Sequence, residues 1–444
     1  MSRLPDRLIA AGTLALRPGG IARSFIAGSG FALLAKLLNG AGIMLINAIL
    51  ARALIPSDYG TYLLGYSAVI IGGLLAALGL HQSGPRLLGE ATWAGAPARL
   101  FGAYRTILTV VAFASLLTTA LFGMFGAGLL GIGDGATWLG LWLAMWVVSV
   151  AWRSIGANSL RVLDRQLGAA VYDGPLATLL MLLALLGMVA AGGITFERVL
   201  LIGAVSSLAS AIPCMLSLRQ ALGERPTDIE RVSVGAVLWI SLPMLIGAIL
   251  TQLSFQLPLW MLGWLGNAHE VALYGAGAQL FLALNLMLSV TVIGAMPVII
   301  RLHARGERER LARFARGAAL LSALPVSVSV VILAWFGADI TALIFGPGYR
   351  ESGIVALLLC LGLLIQMLSG LNATLLVMTG SQLSSSLVLL GGTMILFVLT
   401  VVFYLKAGVA GAALAATTAQ AVQHGALAVL VKRRLGFVPC AWVR

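Results

Sequence analysis

The first long apolar run of the chain carries three side chains that can bind a polar ligand: Lys36, Asn39 and Asn47. In a helix they fall within about a quarter turn of one another, so they share one face. An ammonium and two amides supply charge and hydrogen bonds, which is the chemistry of binding. Because a lysine inside a hydrocarbon span costs about 2.5–3.5 kcal/mol, this face is expected to line a polar cavity. The alternative is that Lys36 lies near the helix end and reaches the lipid headgroups.

Further amide side chains lie inside other apolar runs. Gln252 and Gln256 are four residues apart and share a helix face, which favours a cavity; hydrogen bonding between neighbouring helices is the alternative. Arg52, at the end of the first run, is interpreted as either a cavity residue or an interfacial anchor. The predicted cavity residues are Lys36, Asn39, Asn47, Arg52, Gln252, Gln256, Gln279, Asn285 and Asn372.

Charged residues near the ends of the apolar runs predict a rim or a gate. Asp173 opens the apolar segment 171–191 and is a candidate salt-bridge partner in a gate. Arg161 belongs to a charged cluster just before it, which also fits solvated ion pairs. Arg86 and Arg301 are expected at the cytoplasmic rim, where positive charge accumulates. The predicted rim and gate residues are therefore Arg86, Arg161, Asp173 and Arg301.

Catalytic machinery is not predicted from this sequence. It has no nucleophile motif with a base, no metal-ligand cluster and no phosphate-binding glycine loop, so we expect neither an enzyme nor a cofactor or metal. The three cysteines lie in two apolar runs and in the C-terminal tail, which predicts no structural disulfide. The net charge of +13 is attributed to topology and lipid headgroups rather than to nucleic acid, because no soluble domain is predicted.

Membrane helices must position these side chains. The 444 residues are 60% hydrophobic and 10% charged, with a mean hydropathy of +1.03, which lies far outside the soluble range. The fold class is therefore an all-α polytopic membrane protein. The apolar runs predict about twelve spans at 28–54, 61–82, 102–130, 136–157, 168–191, 197–218, 233–262, 271–300, 317–345, 352–378, 383–405 and 408–431.

The basic residues predict the orientation of these spans. Most of the 28 lysines and arginines fall in alternate connections if the N-terminus is cytoplasmic, so both termini are expected in the cytoplasm. The segment 301–316, with six arginines, is predicted to be a surface helix on anionic lipid. The predicted organisation is a cytoplasmic arm at 1–24, an N-lobe of six helices at 25–218, a cytoplasmic linker at 219–232, a C-lobe of six helices at 233–431 and a cytoplasmic tail at 432–444.

An internal repeat supports two halves. At an offset of about 215 residues, Tyr59-Gly60 falls on Tyr274-Gly275 and Arg86 falls on Arg301; Gly131 and Gly133 fall on Gly346 and Gly348. Because each half has six helices, both halves enter the membrane from the same side. Such a parallel repeat predicts two pseudo-symmetric six-helix lobes around a central cavity.

Several segments resemble a known family. The turn from Ala51 to Gly60, ARALIPSDYG, resembles the turn after the first helix of polysaccharide flippases in the multidrug/oligosaccharidyl-lipid/polysaccharide exporter superfamily. The segments LYG at 273–275, FGPGY at 345–349 and MTGSQ at 378–382 follow in the family's order and spacing. Each motif alone is weak, but their ordered combination is fairly specific and spans most of the chain.

This resemblance implies a bacterial inner-membrane flippase. It implies that a polyprenyl-diphosphate oligosaccharide moves to the outer leaflet by alternating access, for O-antigen, capsule or exopolysaccharide synthesis, with polysaccharide polymerase and glycosyltransferases as further partners. The chain has Gln252, Ser254 and Gln256 where relatives often carry an acid in the seventh helix, which puts carboxylate-based ion coupling there in doubt. The alternatives are a lipid II flippase or a multidrug/cation antiporter of the same superfamily; a membrane glycosyltransferase or polymerase lacks its expected acidic residues here.

Overall fold

The computed structural model describes residues 21–129 and 137–440, and every regular element within them is helical. Residues 1–20 of the predicted arm, the repeat positions Gly131 and Gly133, and the last four residues of the tail lie outside the described residues. The α-helices are α1 (Ile21–Ala53), α2 (Pro56–Ala77), α3 (Leu80–Trp93), α4 (Pro97–Leu129), α5 (Thr137–Val162), α6 (Gln166–Tyr172), α7 (Pro175–Ala190), α8 (Phe196–Ala221), α9 (Val234–Leu265), α10 (Ala268–Ala304), α11 (Arg308–Phe345), α12 (Ser352–Ser369), α13 (Asn372–Met378) and α14 (Gln382–Leu435).

The helices form twelve spans, as predicted. Ten segments of the described chain are long and apolar enough to cross a membrane. The last of them, α14, bends at Ala407 and Gly408, where the backbone leaves helical geometry, so it provides two spans. The 37-residue α10 provides the remaining one. Many large apolar side chains on these helices are exposed, which suits a lipid-facing surface, so the chain is a multi-pass membrane protein.

Three predicted spans are each made of two helices. α2 and α3 meet at Leu78 and Gly79, both with positive φ; α6 and α7 meet at Asp173 and Gly174; and α12 and α13 meet at Gly370. These breaks were not predicted. Glycine is common throughout the membrane helices of this chain, so a glycine inside an apolar run does not by itself indicate a break. The breaks free backbone groups inside the bundle, which is tolerated only where protein or a cavity surrounds them.

Two lobes of six spans pack side by side. α1 to α8 form the N-lobe and α9 to α14 form the C-lobe, with residues 222–233 between them. We call the end of the bundle that carries the α1–α2, α9–α10 and α11–α12 connections the turn end, and the opposite end, which carries residues 222–233, the linker end.

The repeated Tyr-Gly pairs lie at the interface between the lobes. A Cβ on Gly60 of α2 would lie 1.7 Å from the carbonyl oxygen of Ala268 in α10. A Cβ on Gly275 of α10 would lie 2.2 Å from the Cδ1 atom of Leu63 in α2. Each lobe therefore presents a glycine at equivalent positions, and the two glycines let α2 and α10 approach closely.

The prediction of a separate surface helix at 301–316 is wrong. α10 continues to Ala304, and α11 starts at Arg308 and runs without interruption to Phe345. The arginines therefore lie on the ends of two long helices at the linker end. An apolar face, with buried Leu311 and Ala315, begins within the basic segment itself, so the helix packs into the bundle from its first turns.

Candidate functional site

A cavity of about 250 Å³ lies inside the N-lobe and extends to the C-lobe helix α9. The helices α1, α2, α3, α5, α7 and α8 form its walls. Apolar side chains such as Ile43, Ile46 and Val69 cover part of the surface. The polar lining side chains are Asn39, Asn47, Tyr62, Tyr66, His81, Arg153, Ser154, Asp173, Thr178, Ser207 and Gln252.

The polar face of α1 is fixed by hydrogen bonds within the N-lobe. The Asn39 Oδ1 atom accepts a hydrogen bond of 2.7 Å from the Thr178 hydroxyl of α7. The Asn47 Oδ1 atom accepts one of 3.2 Å from the Tyr59 hydroxyl, and its Nδ2 donates to the Ile43 carbonyl at 2.8 Å. Gly174 leaves room for Asn39, because a Cβ there would lie 2.8 Å from its Oδ1 atom. The break between α6 and α7 thus shapes the cavity wall.

Arg153 provides positive charge inside the cavity. It lies about two and a half turns before the end of α5 at Val162, well inside the bundle. Its Nε atom is buried and has no hydrogen-bond acceptor. Asp173, on the same cavity wall, forms its ion pair with Arg161 instead, and no carboxylate of the described residues lies within ion-pair distance of Arg153. The arrangement leaves a guanidinium available for an anionic ligand.

A second pocket of about 100 Å³ lies in the C-lobe and meets the first cavity at Tyr66 and Ile70, which line both. Phe255 and Phe281 form part of its wall, with ring centroids 6.2 Å apart. Its polar lining side chains are Tyr66, Ser254, Gln256, Tyr274, Gln279 and Gln420.

The structure brings five of the nine predicted cavity residues to these two spaces. Asn39, Asn47 and Gln252 line the N-lobe cavity, and Gln256 and Gln279 line the C-lobe pocket. Gln252 and Gln256 lie about one turn apart along α9, and each lines a different one of the two spaces.

The other four predicted cavity residues lie outside both spaces. Lys36 is exposed, and Arg52 donates from Nε to the Ile344 carbonyl at 2.9 Å, at the turn end. Asn372 is buried and donates to the Ser369 carbonyl at 3.0 Å, while Asn285 is half-buried on α10.

Of the four predicted rim and gate residues, two lie at the N-lobe cavity and two lie away from both spaces. Asp173 lines the N-lobe cavity and holds Arg161 beside it. Arg86 is exposed on α3, where it pairs with Glu90 one turn further on at 2.9 Å, and Arg301 is exposed near the end of α10. These last two lie toward the linker end, away from both spaces.

Arg153 is not among the predicted site residues, although it lies inside the predicted span 136–157. One signal was present: ten residues, 154–163, separate Arg153 from the turn at Asp164, which places Arg153 deep in the span. Gln420 was also missed, although it is a polar residue inside the last apolar run. Tyr66, which lines both spaces, is also absent from the predicted site residues.

Solved structures show the same fold. An inward-facing multidrug resistance MATE family transporter of the MOP superfamily superposes with a TM-score of 0.71 at 15% identity, covering 90% of this chain and 94% of that one. Lipid II flippase MurJ, in an inward closed conformation, gives 0.69 at 11% identity, covering 92% and 87%. An outward-facing MATE transporter gives 0.66 at 14% identity, covering 94% and 97%. No protein-family model matches the sequence, and no curated protein matches it.

Proposed function

We propose that this protein flips a polyprenyl-diphosphate-linked oligosaccharide across the bacterial inner membrane by alternating access of its two lobes. The observation that carries the proposal is Arg153, a guanidinium inside the N-lobe cavity whose Nε has no acceptor. A buried cation without a close ion-pair partner is costly, so the cavity favours an anion. A diphosphate suits the planar, forked guanidinium, which binds phosphate oxygens through two parallel hydrogen bonds.

The shape of the cavity supports a large polar headgroup. The N-lobe cavity and the C-lobe pocket meet at Tyr66, so a diphosphate near Arg153 and a sugar attached to it find adjacent spaces. The amides and hydroxyls along both walls match the hydroxyl groups of a glycan. The lipid tail stays in the bilayer outside the bundle.

Direction follows from the distribution of arginines. Arginines concentrate at the linker end, which we assign to the cytoplasm under the positive-inside rule. The turn end, then facing the outside, is closed by contacts between the lobes, such as the edge-to-face packing of Tyr59 and Tyr349 with ring centroids 5.9 Å apart. Substrate loading from the cytoplasmic leaflet is consistent with this closure.

A multidrug/cation antiporter is the main competing function, because a multidrug resistance MATE family transporter shares the fold. A cation in the N-lobe cavity would bind to Asp173, the carboxylate that lines the cavity. Arg161 holds that carboxylate in a close ion pair, whereas no carboxylate of the described residues lies within ion-pair distance of Arg153, whose Nε has no hydrogen-bond acceptor. The charge arrangement therefore favours an anionic substrate. A lipid II flippase carries the same diphosphate chemistry and differs in the sugar and peptide that follow.

Flipping is tested in proteoliposomes with a fluorescent undecaprenyl-diphosphate oligosaccharide. We expect wild-type protein to accelerate its appearance in the opposite leaflet, and Arg153→Gln to reduce that rate at least tenfold with unchanged insertion and thermal stability. The matched control is Arg350→Gln, which removes an exposed arginine at the turn end, outside both spaces, and should leave the rate unchanged. A wild-type rate in Arg153→Gln, or no acceleration by folded wild type, would overturn the proposal.

A further inference from the structure

The C-lobe pocket differs from the N-lobe cavity in its charge. The N-lobe cavity contains Arg153, Asp173 and the titratable His81. The residues described around the C-lobe pocket include no acid, no lysine, no arginine and no histidine. A charged group entering this pocket would lose its hydration and meet no opposite charge. The pocket therefore disfavours ions of either sign.

Three glutamines make the pocket suitable for hydroxyl groups. Gln256 enters from α9, Gln279 from α10 and Gln420 from α14. Each amide offers both donors and an acceptor, as a sugar hydroxyl does, so either partner can donate. The Oε1 atom of Gln420 is buried without a hydrogen-bond donor, so its capacity to accept a hydrogen bond is unfilled.

The amide of Gln420 packs closely against α12. A Cβ on Gly362 would lie 2.5 Å from the Gln420 Oε1 atom, so only glycine at this position lets the amide lie where it does. Preorganised polar groups of this kind give a binding site its specificity, because they lose little conformational freedom when a ligand binds.

Aromatic rings complete the pocket. Phe255, Phe281 and Tyr274 line it, and the ring of Tyr66 forms the boundary with the N-lobe cavity. Tyr66 is stacked on Tyr62 with ring centroids 6.1 Å apart, which holds the boundary in place. The apolar C–H faces of a sugar ring pack on such surfaces while its hydroxyls reach the amides. A volume of about 100 Å³ is small for a ligand site, so it suits one sugar rather than a chain.

We infer that the C-lobe pocket is a subsite for the sugar attached to the diphosphate and that it selects an uncharged, hydroxyl-bearing sugar over one with a carboxylate. The inference rests on the proposed function, because the diphosphate at Arg153 places the first sugar beside Tyr66. In addition, it assigns the diphosphate to the N-lobe cavity and the first sugar to the C-lobe pocket. It also defines the substrate class by the charge of its first sugar.

The test compares three lipids in proteoliposomes: undecaprenyl diphosphate without sugar, with glucose, and with glucuronic acid. We expect wild type to flip the glucose lipid at least tenfold faster than the glucuronic acid lipid. Gln256→Leu should lower the glucose rate to that of the sugar-free lipid and leave the sugar-free rate unchanged. Gln256→Arg should raise the rate of the glucuronic acid lipid by supplying the missing cation.

The matched control is Gln423→Leu on the same helix as Gln420. Gln423 packs against Gly392 and does not line the pocket, so all three rates should stay at wild-type values. If wild type flips all three lipids equally, or if Gln256→Leu leaves the glucose rate unchanged, the sugar subsite is wrong while the flippase stands. If none of the three lipids is flipped by folded wild type, the proposed function fails instead. Thermal stability measured on each variant identifies any loss caused by misfolding.

Discussion

Arg153 and Asp173 illustrate how single residues set the charge of the cavity. Two arginines and one carboxylate lie near one another, and the carboxylate pairs with Arg161, whose side chain is 40% exposed, rather than with the deeper Arg153. The pair is accessible to solvent, so its own contribution to stability is at most about 1 kcal/mol. In the proposed function its larger effect is that it leaves the charge of Arg153 for the ligand.

Asp173→Asn should therefore strengthen anion binding. The change removes one negative charge from the cavity wall and releases Arg161, so we expect affinity for undecaprenyl diphosphate to rise about fivefold, which corresponds to about 1 kcal/mol. Turnover should fall, because tighter binding slows release. Binding to protein in nanodiscs and flipping in proteoliposomes measure the two effects.

The control for this variant is Asp339→Asn. Asp339 forms a more exposed pair with Arg350 at the turn end, at 2.6 Å, and its substitution should leave the affinity unchanged. Loss of all activity in Asp173→Asn with no gain in diphosphate affinity would favour the cation antiporter, in which the carboxylate itself binds the substrate.

At the scale of helices, glycines decide where elements break and how closely they pack. Gly60 and Gly275 allow α2 and α10 to meet between the lobes, and both belong to the repeated Tyr-Gly pairs. The two lobes therefore use equivalent positions for the same purpose. Glycines at the broken spans have a different role, because their positive φ values are conformations that other residues rarely adopt.

Gly60→Ala should push α2 away from α10. The added methyl would meet a backbone oxygen, which cannot move aside as a side chain can, so we expect a loss of stability of about 1–3 kcal/mol. Thermal unfolding in detergent measures it. Gly391→Ala is the control, because a Cβ there meets nothing within 4 Å and should leave the melting temperature unchanged or slightly higher. Equal melting temperatures for the two variants would contradict the close packing at Gly60.

The spans themselves follow from the sequence, because a bilayer imposes both length and apolar composition on each helix. The bend at Ala407 and Gly408 coincides with the predicted connection between the last two spans. The break at Leu78 could not be predicted, since a leucine with positive φ has no sequence signature. The role proposed for Arg153 was not predicted, because the positive-inside rule reports which end of a span is basic but not how deep a residue lies.

At the scale of the whole molecule, alternating access requires the lobes to separate at one end while they pack at the other. The turn end is packed, and one side chain there connects the lobes by hydrogen bonds. Arg52 of α1 donates to the carbonyls of Leu343 and Ile344, which belong to the last turn of α11. These carbonyls have no helical partner and carry the negative end of the helix dipole, so a cation binds them favourably.

Arg52→Ala should therefore weaken closure of the turn end. We expect the population with separated lobes to increase severalfold, because an arginine at a helix C-terminus contributes about 0.3–1 kcal/mol, and up to about 2 kcal/mol where it is partly buried. Spin labels at Ser57 and Glu351, both exposed at the turn end, report the distance between the lobes by pulsed electron resonance. Arg350→Ala provides the comparison, since it removes an exposed arginine that pairs with Asp339 within the C-lobe, and its distance distribution should match wild type. A wild-type distribution in Arg52→Ala as well would mean that packing at Gly60 and Tyr59 closes the turn end without help from this arginine.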